Sequence, residues 1–350
     1  MLATSTSPHP EAKEAWTTIE PNAVLGPVQL RRVLHQRSDY TLYEGEYLRL
    51  GAVVGVYVLP GLPPDEHLRF LCEALGACTL HHPTLVRTID FGDHEGVRYL
   101  VTERLHGTTL EDSLATSVAP LPERVILKLL SCVSEVLVAC HSQGLAHRDL
   151  CPSALQVDRR GRFRMTALGL APTTLPSEPE PPGSMRWAYR PPEYTVPGTR
   201  VDTSVDLYAI GVIAYRLAFQ RLPYCRPPDP FACQTFRPKG PPFALPTHCS
   251  PALLRVIRRL IDPDPNRRIT SATTLLEELP TPAEPPEGRR ARSAVLRLGG
   301  SEHVGRVQSM SRAGSRSAPM RPGARAQARR SKSAWRILLI LVIGLICLHV

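Results

Sequence analysis

Several features are missing from this 350-residue chain, and each absence removes a class of function. Its nine cysteines are scattered without a single C-x-x-C pair, which argues against a zinc site or disulfide framework and points to a reducing compartment. The opening Met1-Leu2-Ala3-Thr4-Ser5 lacks the apolar run of a secretory signal. Between Gly288 and Ala334 there is no aromatic side chain on which a base could stack, so nucleic acid is disfavoured as a partner. Acid is almost absent there too. Gly288–Arg336 carries twelve Arg and one Lys against the single Glu302, a net +12, whereas the whole chain is +10 and everything outside sums to about −2. The pI of 9.4 therefore describes a tail and says little about the folded part.

What is present is ample apolar material, 43% of the residues, enough for one large domain or two modest ones. The 36 prolines gather in 172–192, 223–251 and 280–286. Past the last cluster the sequence turns Pro-, Arg- and Ser-rich, too polar to bury a core, and residues 282–336 are expected to form a disordered basic linker. Residues 1–23 read as a disordered extension. At the other end, Ile337–Val350 is almost unbroken apolar sequence. As a helix it would rise about 21 Å, against about 30 Å for a bilayer core, with Trp335 and Arg336 extending it at the interface. The expectation is a C-terminal membrane anchor, with the basic linker drawn to anionic lipid headgroups and holding the N-terminal domain on the cytoplasmic side.

Hydrophobic periodicity predicts strands over Val28–Leu34, Thr41–Leu50 and Ala52–Leu59, then a helix over Pro64–Leu80 with Leu68, Leu71, Cys72 and Leu75 near helical spacing. A strongly apolar helix over Arg124–Ser142 leads into His147-Arg148-Asp149-Leu150-Cys151-Pro152-Ser153-Ala154. That last run resembles the protein-kinase catalytic loop H-R-D-L-K-P-x-N. Further motifs follow in the kinase order. Arg190-Pro191-Pro192-Glu193 resembles A-P-E, Asp206-Leu207-Tyr208-Ala209-Ile210-Gly211-Val212 resembles D-x-Y-x-x-G-V, and Asp262-Pro263-Asp264-Pro265-Asn266-Arg267-Arg268 resembles D-P-x-x-R.

The resemblance implies an α+β, two-lobed kinase-like fold over residues 24–281, with a small lobe at 24–103 and a large lobe at 104–281. It is similar to bacterial Ser/Thr kinases that place a basic linker and membrane helix after the domain. It makes Leu85–Phe91 and Val97–Glu103 the last two strands of the small lobe, Thr102 the gatekeeper and Glu103 to Leu105 the hinge, pairs Glu193 with Arg268 as a buried ion pair, and sets Asp206 to hold the His147 loop.

The departures from the family pattern fall on the groups that handle ATP and magnesium. Where a glycine-rich loop should cradle phosphates, the three glycine positions are His35, Arg37 and Tyr40. The third-strand Lys is Tyr57, although its helix partner survives as Glu73, within hydrogen-bonding range of the phenol. Ala154 and Ala167 replace both metal ligands, and alanine cannot coordinate a cation. Cys151 stands at the loop Lys and reads as a packed thiol. Arg37 reads as an exposed turn residue or as a surrogate for the missing Lys, and Asp149 as a residue accepting local backbone hydrogen bonds or as a surviving base.

Three functions follow as expectations. The first is a catalytically inactive pseudokinase acting as a membrane-tethered scaffold or allosteric partner of signalling proteins or an active kinase, with no cofactor. The alternative is an atypical active Ser/Thr kinase that uses ATP and Mg with Asp149 as base. The third is a nucleic-acid or lipid binding protein working through the basic tail. Thr173, Thr174, Ser177 and Ser184 are candidate phosphoacceptors.

Overall fold

The computed structural model describes residues 19–281 except 38, 60–63, 117–118, 159, 172–184, 195–199 and 225–248. The chain divides into two units, Met1–Glu302 and His303–Val350, and every described residue lies in the first. The basic linker and the apolar Ile337–Val350 fall outside the described residues, as do the four candidate phosphoacceptors. No helix among the described residues is long and apolar enough to cross a membrane.

A six-stranded antiparallel sheet forms the small lobe: β1 (Val24–Leu25), β2 (Val28–Gln36), β3 (Thr41–Tyr47), β4 (Ala52–Leu59), β5 (Thr88–His94) and β6 (Val97–Glu103), in the order β1-β2-β3-β4-β6-β5. Alternation along β4 sets its two faces. Val54, Val56 and Val58 join Val28, Leu30, Tyr43 and Val101 on one side. Tyr57 and Leu59 face the other, where Phe70 and Ala74 of helix α1 (Pro64–Thr79) pack with Tyr40, Leu42 and Leu100. The strand expected at Leu85–Phe91 begins instead at Thr88. Leu85 makes only an isolated parallel bridge to Met165, and Val86 donates its amide to the Met165 carbonyl at 2.8 Å, so this stretch ties the two lobes together before the strand proper starts.

The large lobe is helical: α2 (Leu110–Thr116), α3 (Glu123–His141), α4 (Ser204–Phe219), α5 (Pro251–Leu260) and α6 (Ala272–Glu278), with a small sheet of β7 (Thr108–Thr109), β8 (Leu155–Val157) and β9 (Phe163–Met165) on its surface. Thirteen of the sixteen residues of α4 are buried, which marks it as the central helix. Its Gly211 permits the crossing with the end of α5, since a Cβ there would meet the Leu260 Cβ at 2.5 Å. Side-chain caps start the last two helices, with Ser250 Oγ accepting from the Leu253 amide at 3.2 Å and Ser271 Oγ from the Thr274 amide at 3.0 Å.

Arg268 and Glu193 meet through two guanidinium nitrogens, one at 2.8 Å. Arg268 is 4% exposed, donates also to the Asp262 carbonyl at 2.6 Å, and lies over the Tyr208 ring at 4.8 Å. Glu193, expected to be buried, is 32% exposed, so water reaches the carboxylate side of the pair. Removing the carboxylate leaves a desolvated guanidinium with only carbonyl and ring partners. Glu193→Ala should therefore destabilise the domain by about 3 kcal/mol, at the low end for a broken buried pair because water reaches the Glu side. Chemical denaturation of both proteins measures it, and a loss under about 1 kcal/mol would show that the carbonyls and Tyr208 suffice.

Candidate functional site

Asp206, at the start of α4, is fully buried, and its carboxylate accepts the backbone N–H groups of His147 and Arg148 at 2.8 Å each. His147 is then held from two sides. Its Nε2 lies 2.7 Å from the Thr166 carbonyl and its Nδ1 accepts from the Asp149 amide at 3.3 Å, which places the ring hydrogen on Nε2. Arg148 adopts φ 62°, a conformation uncommon outside glycine, and this turns its guanidinium toward α1, where Nη1 donates to Glu73 Oε2 at 2.7 Å. The expected Tyr57–Glu73 contact is thereby replaced: Glu73 is taken by Arg148, and the Tyr57 phenol meets the Thr166 hydroxyl instead.

Asp149 is the centre of the site, and its partners correct the sequence reading. Its carboxylate is held by side chains from two distant segments instead of by local backbone groups. Arg37 donates to Oδ2 at 2.7 Å, and Arg186 contacts Oδ1 at 2.9 Å and Oδ2 at 2.6 Å. Asp39 completes the group, 3.1 Å from each of the two arginines. Arg37, for which the sequence left open an exposed turn residue or a surrogate for the missing Lys, has a side chain only 9% accessible and also donates to the Tyr40 hydroxyl at 3.1 Å and the Ser153 hydroxyl at 3.3 Å. Sequence reasoning missed Arg186 altogether. Its charge is visible in Met185-Arg186-Trp187, but no spacing rule links it to a carboxylate 37 residues earlier.

Tyr40 and Tyr57 pack edge to face with ring centroids 5.1 Å apart, and Arg37 lies over the Tyr40 ring at 4.8 Å. Burial raises the pKa of both phenols, Tyr57 to about 12, so they stay neutral. His35, by contrast, is exposed on β2. The chain has four lysines and none between Lys13 and Lys128, so no lysine of the small lobe can stand in for the missing one. Ala154 and Ala167 offer no metal ligand, and no cluster of potential ligands occurs among the described residues. Ala167 holds φ 63°, a left-handed backbone at the position where the kinase pattern has its metal-binding side chain. The positions that hold magnesium in the kinase pattern carry no ligand atom, and the two arginines of the site are matched by two aspartates.

Elsewhere in the cleft, hinge Glu103 accepts from the Arg87 amide at 2.9 Å and pairs with Arg164. Leu105 leans over Gly55, its Cγ 3.5 Å from where a Cβ would stand, and Thr102 is buried beside it. Cys151 is buried, and burial beside Asp149 raises its thiol pKa, which describes an unreactive packed group.

With this geometry in place, comparison with known proteins identifies the family. Residues 65–279 match the protein kinase domain. The chain belongs to the protein kinase superfamily, and its relatives are of bacterial type. It is 33% identical over 271 residues to the serine/threonine-protein kinase Pkn2 of Myxococcus xanthus, covering 73% of this chain and 32% of the relative. Pkn1 of the same organism is 31% identical over 261 residues, 70% of this chain and 37% of the relative. A probable serine/threonine-protein kinase of Streptomyces coelicolor is 28% identical over 298 residues, 80% and 44% respectively. The chain thus spans between about a third and a half of the length of these curated relatives.

The charge network predicts a specific acid limb. Burial alone would raise the Asp149 pKa, but Arg186 and Arg37 together overcome it and hold the carboxyl below the usual aspartate value of 3.8. A group with a depressed folded pKa stabilises the fold above its unfolded pKa, and that contribution is lost as pH falls through the folded value. Asp149→Asn should be less stable than the parent at pH 7, and the gap should narrow as pH drops below about 4. Thermal unfolding across pH 7 to 3 reads this out; a gap independent of pH would mean that the carboxylate charge contributes nothing to stability.

Proposed function

We propose that this kinase-family chain is a regulatory member without phosphoryl transfer, a scaffold or allosteric partner in bacterial Ser/Thr kinase signalling. One observation carries the reading: the Asp149 carboxylate, which would have to accept a substrate proton, is engaged at both oxygens by Arg37 and Arg186. Phosphoryl transfer depends on positioning and charge stabilisation, and loss of one such group typically costs about 3–4 kcal/mol, or about 10²–10³ in rate. Lys, two metal ligands and the phosphate loop are all absent here. These losses are not additive, yet even a partial sum takes turnover below usefulness.

The second reading is an atypical active Ser/Thr kinase with Asp149 as base and Arg37 as phosphate clamp. It has the better support from the comparisons, since each of the relatives above is named a serine/threonine-protein kinase or a probable one. To act this way the chain must first release Arg37 and Arg186 from Asp149, and it still lacks a metal ligand at 154 and 167.

Full-length protein mixed with 1 mM Mg-ATP separates the two. A ligand present at 100 times its dissociation constant stabilises a fold by about 2.7 kcal/mol, so thermal unfolding detects any micromolar site. The expected outcome is no magnesium-dependent rise in melting temperature and no phosphate transferred to itself or to added protein acceptors. A clear rise accompanied by transfer, abolished in Asp149→Asn, establishes the kinase reading instead.

Membrane attachment is part of the same proposal and rests on sequence alone. Ile337–Val350 is the anchor and the arginine-rich 282–336 adds attraction for anionic lipid, about 1 kcal/mol per basic residue near the surface and weakened by salt. The intact chain should stay with vesicles through a high-salt wash. A chain ending at Lys332 should bind anionic vesicles at low salt and leave them at physiological salt. Release of the intact chain by salt would refute the anchor.

A further inference from the structure

The charges around Asp149 come from three separate parts of the fold. Arg37 and Asp39 belong to the β2–β3 hairpin of the small lobe, Asp149 to the large-lobe loop anchored by Asp206, and Arg186 to the short turn Arg186–Tyr189. Their side chains are mostly shielded, Asp149 being 13% and Arg186 16% exposed. Arg37 bonds Asp149 across the two lobes, and Arg186 reaches both Asp149 in its own lobe and Asp39 in the other. The contacts form a closed ring, Arg37 to Asp149 to Arg186 to Asp39 and back to Arg37. It is electrically balanced, two guanidiniums against two carboxylates.

From this ring we infer that the domain carries an internal ionic latch, in which Arg37 and Arg186 hold the two lobes and the 185–194 segment in a closed arrangement without nucleotide. The inference rests on the regulatory reading above and gives that site its means of control. A partner that recognises the closed surface meets it already formed, and a partner that competes for either arginine with its own carboxylates opens it. Glu73 and Arg148 form a second cross-lobe pair that does not involve these four residues, so the lobes stay tethered when the latch opens. Opening is then a local event at the hairpin and the 185–194 segment, with the large-lobe core unaffected.

The latch makes an ordered prediction. Arg37→Ala leaves Asp149 still paired with Arg186, and Arg186→Ala leaves it paired with Arg37. Asp149→Asn removes the shared anion and leaves two guanidiniums close together, so it should open the ring furthest. Amide hydrogen exchange on the full-length protein reads this directly. Each Arg variant should speed exchange in both 39–47 and 185–194 by about tenfold or more, including in the segment that was not mutated, and Asp149→Asn should speed it further. The slow amides of α4 should lose much less protection than these two segments in all three, Asp149→Asn included. Arg31→Ala, which breaks only the exposed Arg31–Glu46 pair within the small lobe, should leave 185–194 unchanged.

Faster exchange confined to the mutated segment would overturn the latch. So would equal loss of protection in α4, because the arginines would then merely stabilise the whole fold. The same measurement with 1 mM Mg-ATP on the unmutated protein keeps the two claims apart. Added protection there would overturn the regulatory reading, whereas the latch stands or falls on the coupled response of the Arg variants.

Discussion

The site hangs from one buried carboxylate. Asp206 is on the most deeply buried helix of the large lobe, and it has no solvent to satisfy it. It is neutralised in effect by two backbone N–H groups, those of His147 and Arg148, and by the His141 ring at 3.0 Å. A carboxylate so placed is costly to leave unpaired, so the loop is drawn to it whether or not the loop catalyses anything. With those two amides fixed, the positive φ of Arg148 follows, and with it the direction of the Arg148 side chain toward Glu73 and of Asp149 toward the cleft. Core packing, through Asp206, therefore dictates where every charged group of the site can point.

That constraint creates an electrostatic demand. Asp149 is delivered into a largely dry position, where an uncompensated carboxylate would be expensive. In the kinase pattern, cations gather around the transferred phosphate: the third-strand lysine and the metal ions held by Asp and Asn. Here those positions are Tyr57, Ala167 and Ala154, and none can carry charge in the buried cleft. Arg37 and Arg186 fill the deficit. Arginine suits this use because its planar fork engages two acceptors at once and stays charged when desolvated, as Arg37 does between Asp149 and Asp39. The tyrosine pair complements it: Tyr40 and Tyr57 pack against each other as neutral rings beside Arg37, whose charge is met by Asp149 and Asp39.

How far the sequence reveals this depends on whether a residue's role is local or assembled. Motif order located Asp206, Glu193, Arg268 and the His147 loop, because each sits at a fixed spacing in a recognisable run, and the structure brings Arg268 to Glu193 and Asp206 to the loop amides. The strands and helices of the small lobe are legible for the same reason, through alternation in β4 and helical spacing in α1. Pairings between distant segments are not. Nothing in Arg37-Ser38-Asp39-Tyr40 signals a partner 112 residues away, and turn composition left open an exposed arginine or a surrogate for the missing Lys. The Tyr57–Glu73 expectation failed because it ignored a competitor: Arg148 brings full charge to the same carboxylate, and a charged donor outbids a phenol. The kinase order of elements suggests strand from Leu85, whereas Val86 gives its amide to Met165 in the other lobe and the strand starts only at Thr88.

Ala167 shows that motif geometry and motif chemistry can part company. A left-handed alanine costs about 1–2 kcal/mol, which a metal-binding residue would recover through its ligand and an alanine does not. The backbone is kept there by its neighbours: Leu170 donates to the Ala167 carbonyl, and Gly169 at φ 80° stands where a Cβ would lie 3.4 Å from the Glu73 carbonyl. The path of this segment is thus set by packing against α1 and would survive any side chain at 167. It follows that placing Asp at 167 would not by itself rebuild a metal site. It would add a carboxylate next to the Tyr40–Tyr57 cluster, against which Ala167 packs, with Ala154 offering no second ligand. The arginines that engage Asp149 and the alanines at the two metal positions thus belong to one charge set, and a change in either part shifts the demand on the other.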